Sequence, residues 1–124
     1  MKVLSLDHIL LAMPPGGESR ARDFYHGILG IPEVVKPGVL QARGGAWFEN
    51  GNLKIHLGVE KDFRPARKAH PAFVVENLPG LTEQLRAKGF PISDDEPLTG
   101  YDRIFTEDPF GNRIELIEPH AAPS

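Results

Sequence analysis

The chain has 124 residues, 40% apolar and 25% charged, an ordinary mixture for one globular domain with a single core. Its formal net charge of -3 supplies no basic stripe for nucleic acid, and no run of about 18 apolar residues is available to cross a membrane. The absence of cysteine excludes disulfides, thiolate nucleophiles and cysteine-based zinc sites, so any metal must be held by His and carboxylates; it also fits a reducing cytoplasm, the expected location.

The elements follow in chain order. The opening stretch has a lysine and a short apolar run, but Asp7 and His8 interrupt it and no small-residue cleavage site follows. It reads as a strand of the mature fold, residues 4–13, rather than a secretion signal. A loop over 14–19 leads into a helix over 18–30, where Ala21, Phe24, Tyr25 and Ile28 recur at helical spacing and Gly30 can cap the end. A short strand over 33–36 and a loop through Pro37 and Gly38 come next. Strands over 45–50 and 52–59 are joined at Asn50-Gly51, a hairpin signal, and residues 60–68 form a charged connection.

The order then returns. A strand is expected over 70–75. A helix follows over 77–89, with Asn77 as cap, Leu78, Leu81 and Leu85 as apolar stripe and Gly89 at the end. A short strand over 90–93 and strands over 102–108 and 112–118 complete the set, the last two joined through the Pro-Phe-Gly turn. The tail, 119–124, is expected to fray. Strand–helix–strand–strand–strand thus occurs twice, with His8 and His70 at matching places in the two opening strands.

Strand side chains alternate between faces, so the apolar sets Ile55/Leu57 and Ile114/Leu116 suit the helices, while the other faces collect His8, Lys54, His56, His70 and Glu115. Imidazoles and carboxylates at strand centres are what a divalent ion needs when no thiolate exists. A metal would also offset the cost of holding Glu115 between Ile114 and Leu116. Plainer roles stand beside these: structural hydrogen bonds for the histidines, cross-strand pairing of Glu115 with Arg113, Arg103 or Lys54, and core packing for Trp47.

The segments "LDHILLAM", "ARDFYHGILGIP", "HPAFVVENLPGLTEQLRAKG" and "FTEDPFGNRIELIE" resemble the vicinal oxygen chelate superfamily, which includes glyoxalase I, extradiol dioxygenases, and fosfomycin and bleomycin resistance proteins. The resemblance covers nearly the whole chain. It implies an α+β fold of two βαβββ modules, about 1–62 and 63–124, pairing into a half-closed mixed sheet around a cleft. It implies metal ligands at His8, His70 and Glu115, with a fourth position falling on Lys54 or His56. Lysine there would abolish the ligand that glyoxalase I places as a carboxylate, so lactoylglutathione lyase activity is not the expectation; His56 could replace it or bind substrate.

The function so implied is a divalent-metal enzyme (Fe, Mn, Ni or Zn) acting on a small oxygenated substrate as a lyase, dioxygenase or transferase, with Glu115 able to serve as catalytic base. Trp47, Lys54, Tyr101, Arg103 and Phe105 are the candidates to contact substrate, and Arg43 or Arg103 to bind an anionic one. A homodimer is expected, with neither nucleic acid nor membrane as partner. The alternative is a metal-free small-molecule-binding or drug-resistance protein of the bleomycin-resistance type.

Overall fold

The computed structural model describes residues 1–121; the last three positions of the tail expected to fray lie outside the described residues. The chain divides into two compact units, Met1–Pro65 and the part from Ala66 onward. Both combine a mixed sheet with helix, an α+β architecture.

The first unit contains β1 (Ile9–Met13), α1 (Glu18–Tyr25), β2 (Glu33–Val34), α2 (Gly38–Gln41), β3 (Ala46–Asn50) and β4 (Leu53–Val59). Its sheet runs in the order β1-β4-β3-β2, with β1 parallel to β4 and the other pairs antiparallel. Alternation sorts β4: Ile55 and Leu57 join Met13, Ala46 and Phe48 in the core, where Ala21, Phe24 and Tyr25 of α1 meet them. Tyr25 stacks on Phe48 with ring centroids 5.5 Å apart. The opposite face carries Leu10, Trp47, Lys54 and His56.

The second unit contains β5 (Ala72–Val74), α3 (Leu78–Ala87), β6 (Tyr101–Glu107) and β7 (Arg113–Pro119), with sheet order β5-β7-β6 and β5 parallel to β7. Ile104, Ile114, Leu116 and Phe73 form its core with Leu78 and Leu85 of α3; Leu81, the third member of the expected stripe, is only half-buried. Asn77 caps α3 from a left-handed conformation, φ 61°, accepting the Gly80 N–H at 3.2 Å. Glu118 of β7 accepts the N–H groups of Asn77 and Leu78 at 2.7 and 3.0 Å, so a strand carboxylate completes the cap.

Several expected boundaries differ. The first strand begins at Ile9, not residue 4: continuing its register sets Asp7 beside Leu53, where β4 starts, and residues 4–6 run past any partner. The first helix stops at Tyr25 instead of 30. A Cβ at Gly27 would meet the Asp23 carbonyl at 2.3 Å, so only glycine fits the tight turn that replaces the last helical turn. The strand expected over 33–36 is two residues long, and the loop after it holds the four-residue α2. The hairpin forms one residue later than its sequence signal, with Asn50 paired to Leu53 and Gly51, φ 60°, at the first loop position. The strand expected over 90–93 is a single bridge between Ser93 and Phe105. The second pass through the repeat therefore keeps its opening strand, helix and final hairpin but reduces the middle strand to one pair.

Candidate functional site

In the first unit the residues of interest sit on the open face of β4 and its neighbours. His56 lies opposite both Leu10 of β1 and Trp47 of β3. Its ring stacks on Trp47 at 3.8 Å and 1°, and against His8 at 4.4 Å and 23°. Its Nε2 meets Glu49 Oε2 at 2.8 Å, and it is only 5% exposed. His56 is thus a buried slab with both faces covered and one ring nitrogen committed to a carboxylate.

His8, just ahead of β1, is more open. Its Nδ1 lies 2.9 Å from Asp7 Oδ2, and Lys54 Nζ is 3.6 Å from the other oxygen of that carboxylate. The hydrogen bond from His8, followed by the charge of Lys54, holds the Asp7 carboxyl below its usual range. With Nδ1–H donated to Asp7, Nε2 is the ring nitrogen left with a lone pair, the arrangement by which a carboxylate orients a ligand histidine. Farther along β1 and β4 a cavity of about 370 Å³ opens, walled by Leu10, Leu40 and Trp47, with Lys36 and Arg43 also lining it.

In the second unit Glu115 stands on β7 between Ala72 of β5 and Phe105 of β6. It is 7% exposed. Its Oε1 lies 3.0 Å from His70 Nε2 and its Oε2 lies 3.4 Å from Arg103 Nη1. These two neighbours make the buried carboxylate tolerable. His70 also presents Nδ1 to the Lys68 carbonyl at 2.8 Å, and its ring meets Phe105 edge-on at 5.3 Å.

The His70 contacts have a chemical consequence. A carbonyl can only accept, so the Nδ1 proton is committed to Lys68. In the neutral ring, Nε2 then turns a lone pair toward an acceptor carboxylate. The pair is stable only with a cation between the two atoms, either a proton or a metal ion. Two ligands at about 2.1 Å and at right angles around one ion are themselves about 3.0 Å apart, so the spacing suits adjacent metal ligands as well as a hydrogen bond. His70, Glu115 and the lone-pair nitrogen of His8 fit a divalent ion by donor type. Among the described residues, however, no group of three or more histidine and acidic side chains stands close enough together to hold one.

The expected site residues therefore gather in two sets: His8, Trp47, Lys54 and His56 in one unit, and His70, Arg103, Phe105 and Glu115 in the other. Tyr101 joins neither set and lies exposed at the start of β6. The plainer role expected for Glu115 is partly realised, through Arg103. Trp47 is not core: it is half-buried on the open face. Asp7, Glu49 and the Lys68 carbonyl were not anticipated. Glu49 had a readable signal, since the hairpin register sets it directly across from Lys54; the Lys68 carbonyl had none.

Each unit thus combines a mixed sheet with helix, and carries a histidine just ahead of its opening strand. The chain belongs to the Glyoxalase/Bleomycin resistance protein/Dioxygenase superfamily, whose model matches residues 5–116. It is similar to the crystal structure of a protein assigned to the glyoxalase family from Bacillus anthracis, with 42% identity, a TM-score of 0.88, and coverage of 96% of this chain and 98% of that one. An integron cassette protein from V. cholerae matches at 25% identity and TM-score 0.70, covering 95% and 97%. The fosfomycin resistance protein FosX from Listeria monocytogenes, 18% identical with TM-score 0.71 over 99% and 97%, shares the fold. No curated protein matches the chain.

Proposed function

We propose that the protein is a divalent-metal-dependent enzyme acting on a small oxygenated molecule, with His8, His70 and Glu115 as metal ligands. The observation that supports this reading is the His70–Glu115 pair, whose 3.0 Å spacing suits two neighbouring ligands of one ion while His70 Nδ1 lies against the Lys68 carbonyl. Iron, manganese, nickel or zinc is compatible with such nitrogen and oxygen donors. When bound, the ion would supply Lewis-acid polarisation of two neighbouring substrate oxygens.

The chain's own residues do the rest. Lys68 fixes the His70 tautomer, and Asp7 fixes that of His8. Glu115 is assigned the role of catalytic base, because its buried carboxylate is held by His70 and Arg103 and is freed to take a proton if either is displaced. His56 is assigned to the wall of the site, since its Nε2 is committed to Glu49. Trp47 lines the 370 Å³ cavity assigned to the substrate, and Lys54 lies on the same sheet face. Phe105 supports His70 by edge contact, and Arg103 positions Glu115 or receives a substrate anion. Tyr101 has no assigned contact.

The active form is proposed to be a homodimer. Val3, Leu4 and Leu6, in the segment leading into β1, and Leu10 on it are 92%, 82%, 76% and 62% exposed, an apolar run that a second copy could cover.

The test is metal content after dialysis without chelator, for wild type, His8→Ala and Glu115→Ala. About one ion per chain in wild type, lost in both variants, is the expected result. A second reading is a metal-free small-molecule-binding protein of the bleomycin-resistance type. Two observations favour it: the Arg103–Glu115 ion pair, and the lack of a three-donor group among the described residues. Wild type that retains no ion, and gains no thermal stability from any of the four, would establish that reading instead.

A further inference from the structure

A second cleft, of about 280 Å³, lies in the second unit at the turn end of the β6/β7 hairpin. Arg67, Arg113, Ser93, Thr106, Pro91 and Phe105 are among its walls, and Glu107 brings the one carboxylate. Nothing in the proposed metal chemistry uses it.

The cations are placed there by backbone. Arg113 N donates to the Ala66 carbonyl at 2.8 Å, and Ala66 N donates to Asn112 Oδ1 at 2.9 Å. This double tie holds the 66–67 segment against the start of β7, so Arg67 and Arg113 line one cleft. Like charges brought together in this way repel unless something negative stands between them. The Arg113 guanidinium sits over Phe105, its Cζ 4.1 Å from the ring centroid, with Asp95 at 3.8 Å. Glu107 faces Arg113 directly across the hairpin. Arg67 has no carboxylate or carbonyl partner among the described residues. Thr106 also contributes to the wall, but strand alternation turns its buried hydroxyl to the core face with Ile104 and Ile114, away from Arg113 and Phe105.

We propose that this cleft binds a small oxyanion, a phosphate or carboxylate group on a compact apolar body. The guanidinium of Arg67, with that of Arg113, would take the oxyanion by paired N–H bonds. Phe105 and Pro91 supply the apolar wall. The site is separate from the metal ligands but shares Phe105 with them, because the same ring meets His70 edge-on.

The test is calorimetric titration of the full chain with inorganic phosphate and, separately, phenyl phosphate. Saturable binding is expected for both, tighter for phenyl phosphate. Arg67→Gln and Arg113→Gln should each weaken it at least tenfold, while Glu115→Gln leaves it within twofold. Arg67 is exposed and forms no ion pair among the described residues, so Arg67→Gln should melt within about 2 °C of wild type, which separates lost binding from lost folding. The proposal is overturned if neither probe saturates, if both cleft variants bind as wild type does, or if Glu115→Gln abolishes binding and so moves the anion to the metal site.

Discussion

Replacing Asn112 by alanine tests how the "DPFGN" turn is built. Asn112 is 1% exposed and Asp108 3%. Asp108 Oδ1 accepts the N–H groups of Phe110 and Asn112, both at 2.9 Å, and its Oδ2 accepts from Asn112 Nδ2 at 2.9 Å. Asn112 Oδ1 in turn accepts Ala66 N. The alanine variant removes a charge-assisted bond from Asp108, about 1.5–3 kcal/mol, and the side-chain partner of a backbone N–H, about 1–3 kcal/mol when that group is buried. The ranges combine to roughly 2.5–6 kcal/mol, a large share of the stability of a domain this size. Urea unfolding followed by far-ultraviolet circular dichroism would measure it, with exposed Asn52→Ala as control, expected within about 0.5 kcal/mol of wild type. A loss for Asn112→Ala below about 1 kcal/mol would refute the view that this network, rather than the β6/β7 ladder alone, fixes the hairpin.

Three further outcomes are expected. If His8, His70 and Glu115 bind an ion, saturating Ni, Mn or Zn at about 100 times Kd adds about 2.7 kcal/mol, a rise in Tm of roughly 8–12 °C for a chain of this length; Glu115→Gln should abolish it, and an equal rise in that variant would sink the ligand assignment. Arg22 grips Glu33 through Nε at 2.5 Å and Nη2 at 3.1 Å, and chiefly through that hydrogen bond holds the Glu33 carboxyl below its usual range. A lowered folded pKa gives stability that is present above the unfolded value and is lost as pH falls through the folded one. Wild type should therefore exceed Glu33→Gln by under about 1 kcal/mol at neutral pH, since both side chains are partly exposed; the gap should close in acid unfolding below about pH 4, and one that widens there would contradict the pairing. Finally, Gly45→Ala should cost roughly 3 kcal/mol or more, because its Cβ would meet the Leu57 carbonyl at 2.1 Å at φ +85°. Gly16→Ala, at φ +79° with nothing within 4 Å, should cost only about 1 kcal/mol; equal melting temperatures would show that the contact does not bind.

The core was legible because strand alternation and helical spacing are local: Phe24 and Tyr25, Ile55 and Leu57, and Ile114 and Leu116 are buried as their positions imply. Boundaries were less legible because they depend on partners. Residues 4–6 are as apolar as the strand they precede, but β4 ends before reaching them. Gly27 looks like an ordinary weak helical residue until the Asp23 carbonyl is placed 2.3 Å from its missing Cβ. The cap on α3 was half legible: Asn77 carries its own signal, whereas Glu118 reaches that helix only because β7 brings it back after forty residues of chain.

For the site, sequence identifies donor types but not their commitments. His56 and His8 share a face and could both have been ligands by type. Only the register, which sets Trp47 across from His56 and lets Glu49 reach its Nε2, makes one of them a wall and leaves the other open. Glu115 is subtler, since Arg103 offers it an ion-pair partner, while the Lys68 carbonyl, which takes up His70 Nδ1, turns the other ring nitrogen onto it. The two influences oppose each other on one carboxylate. A residue balanced in this way can release one partner to take another at low cost, whereas a purely structural ion pair of the same burial resists the exchange.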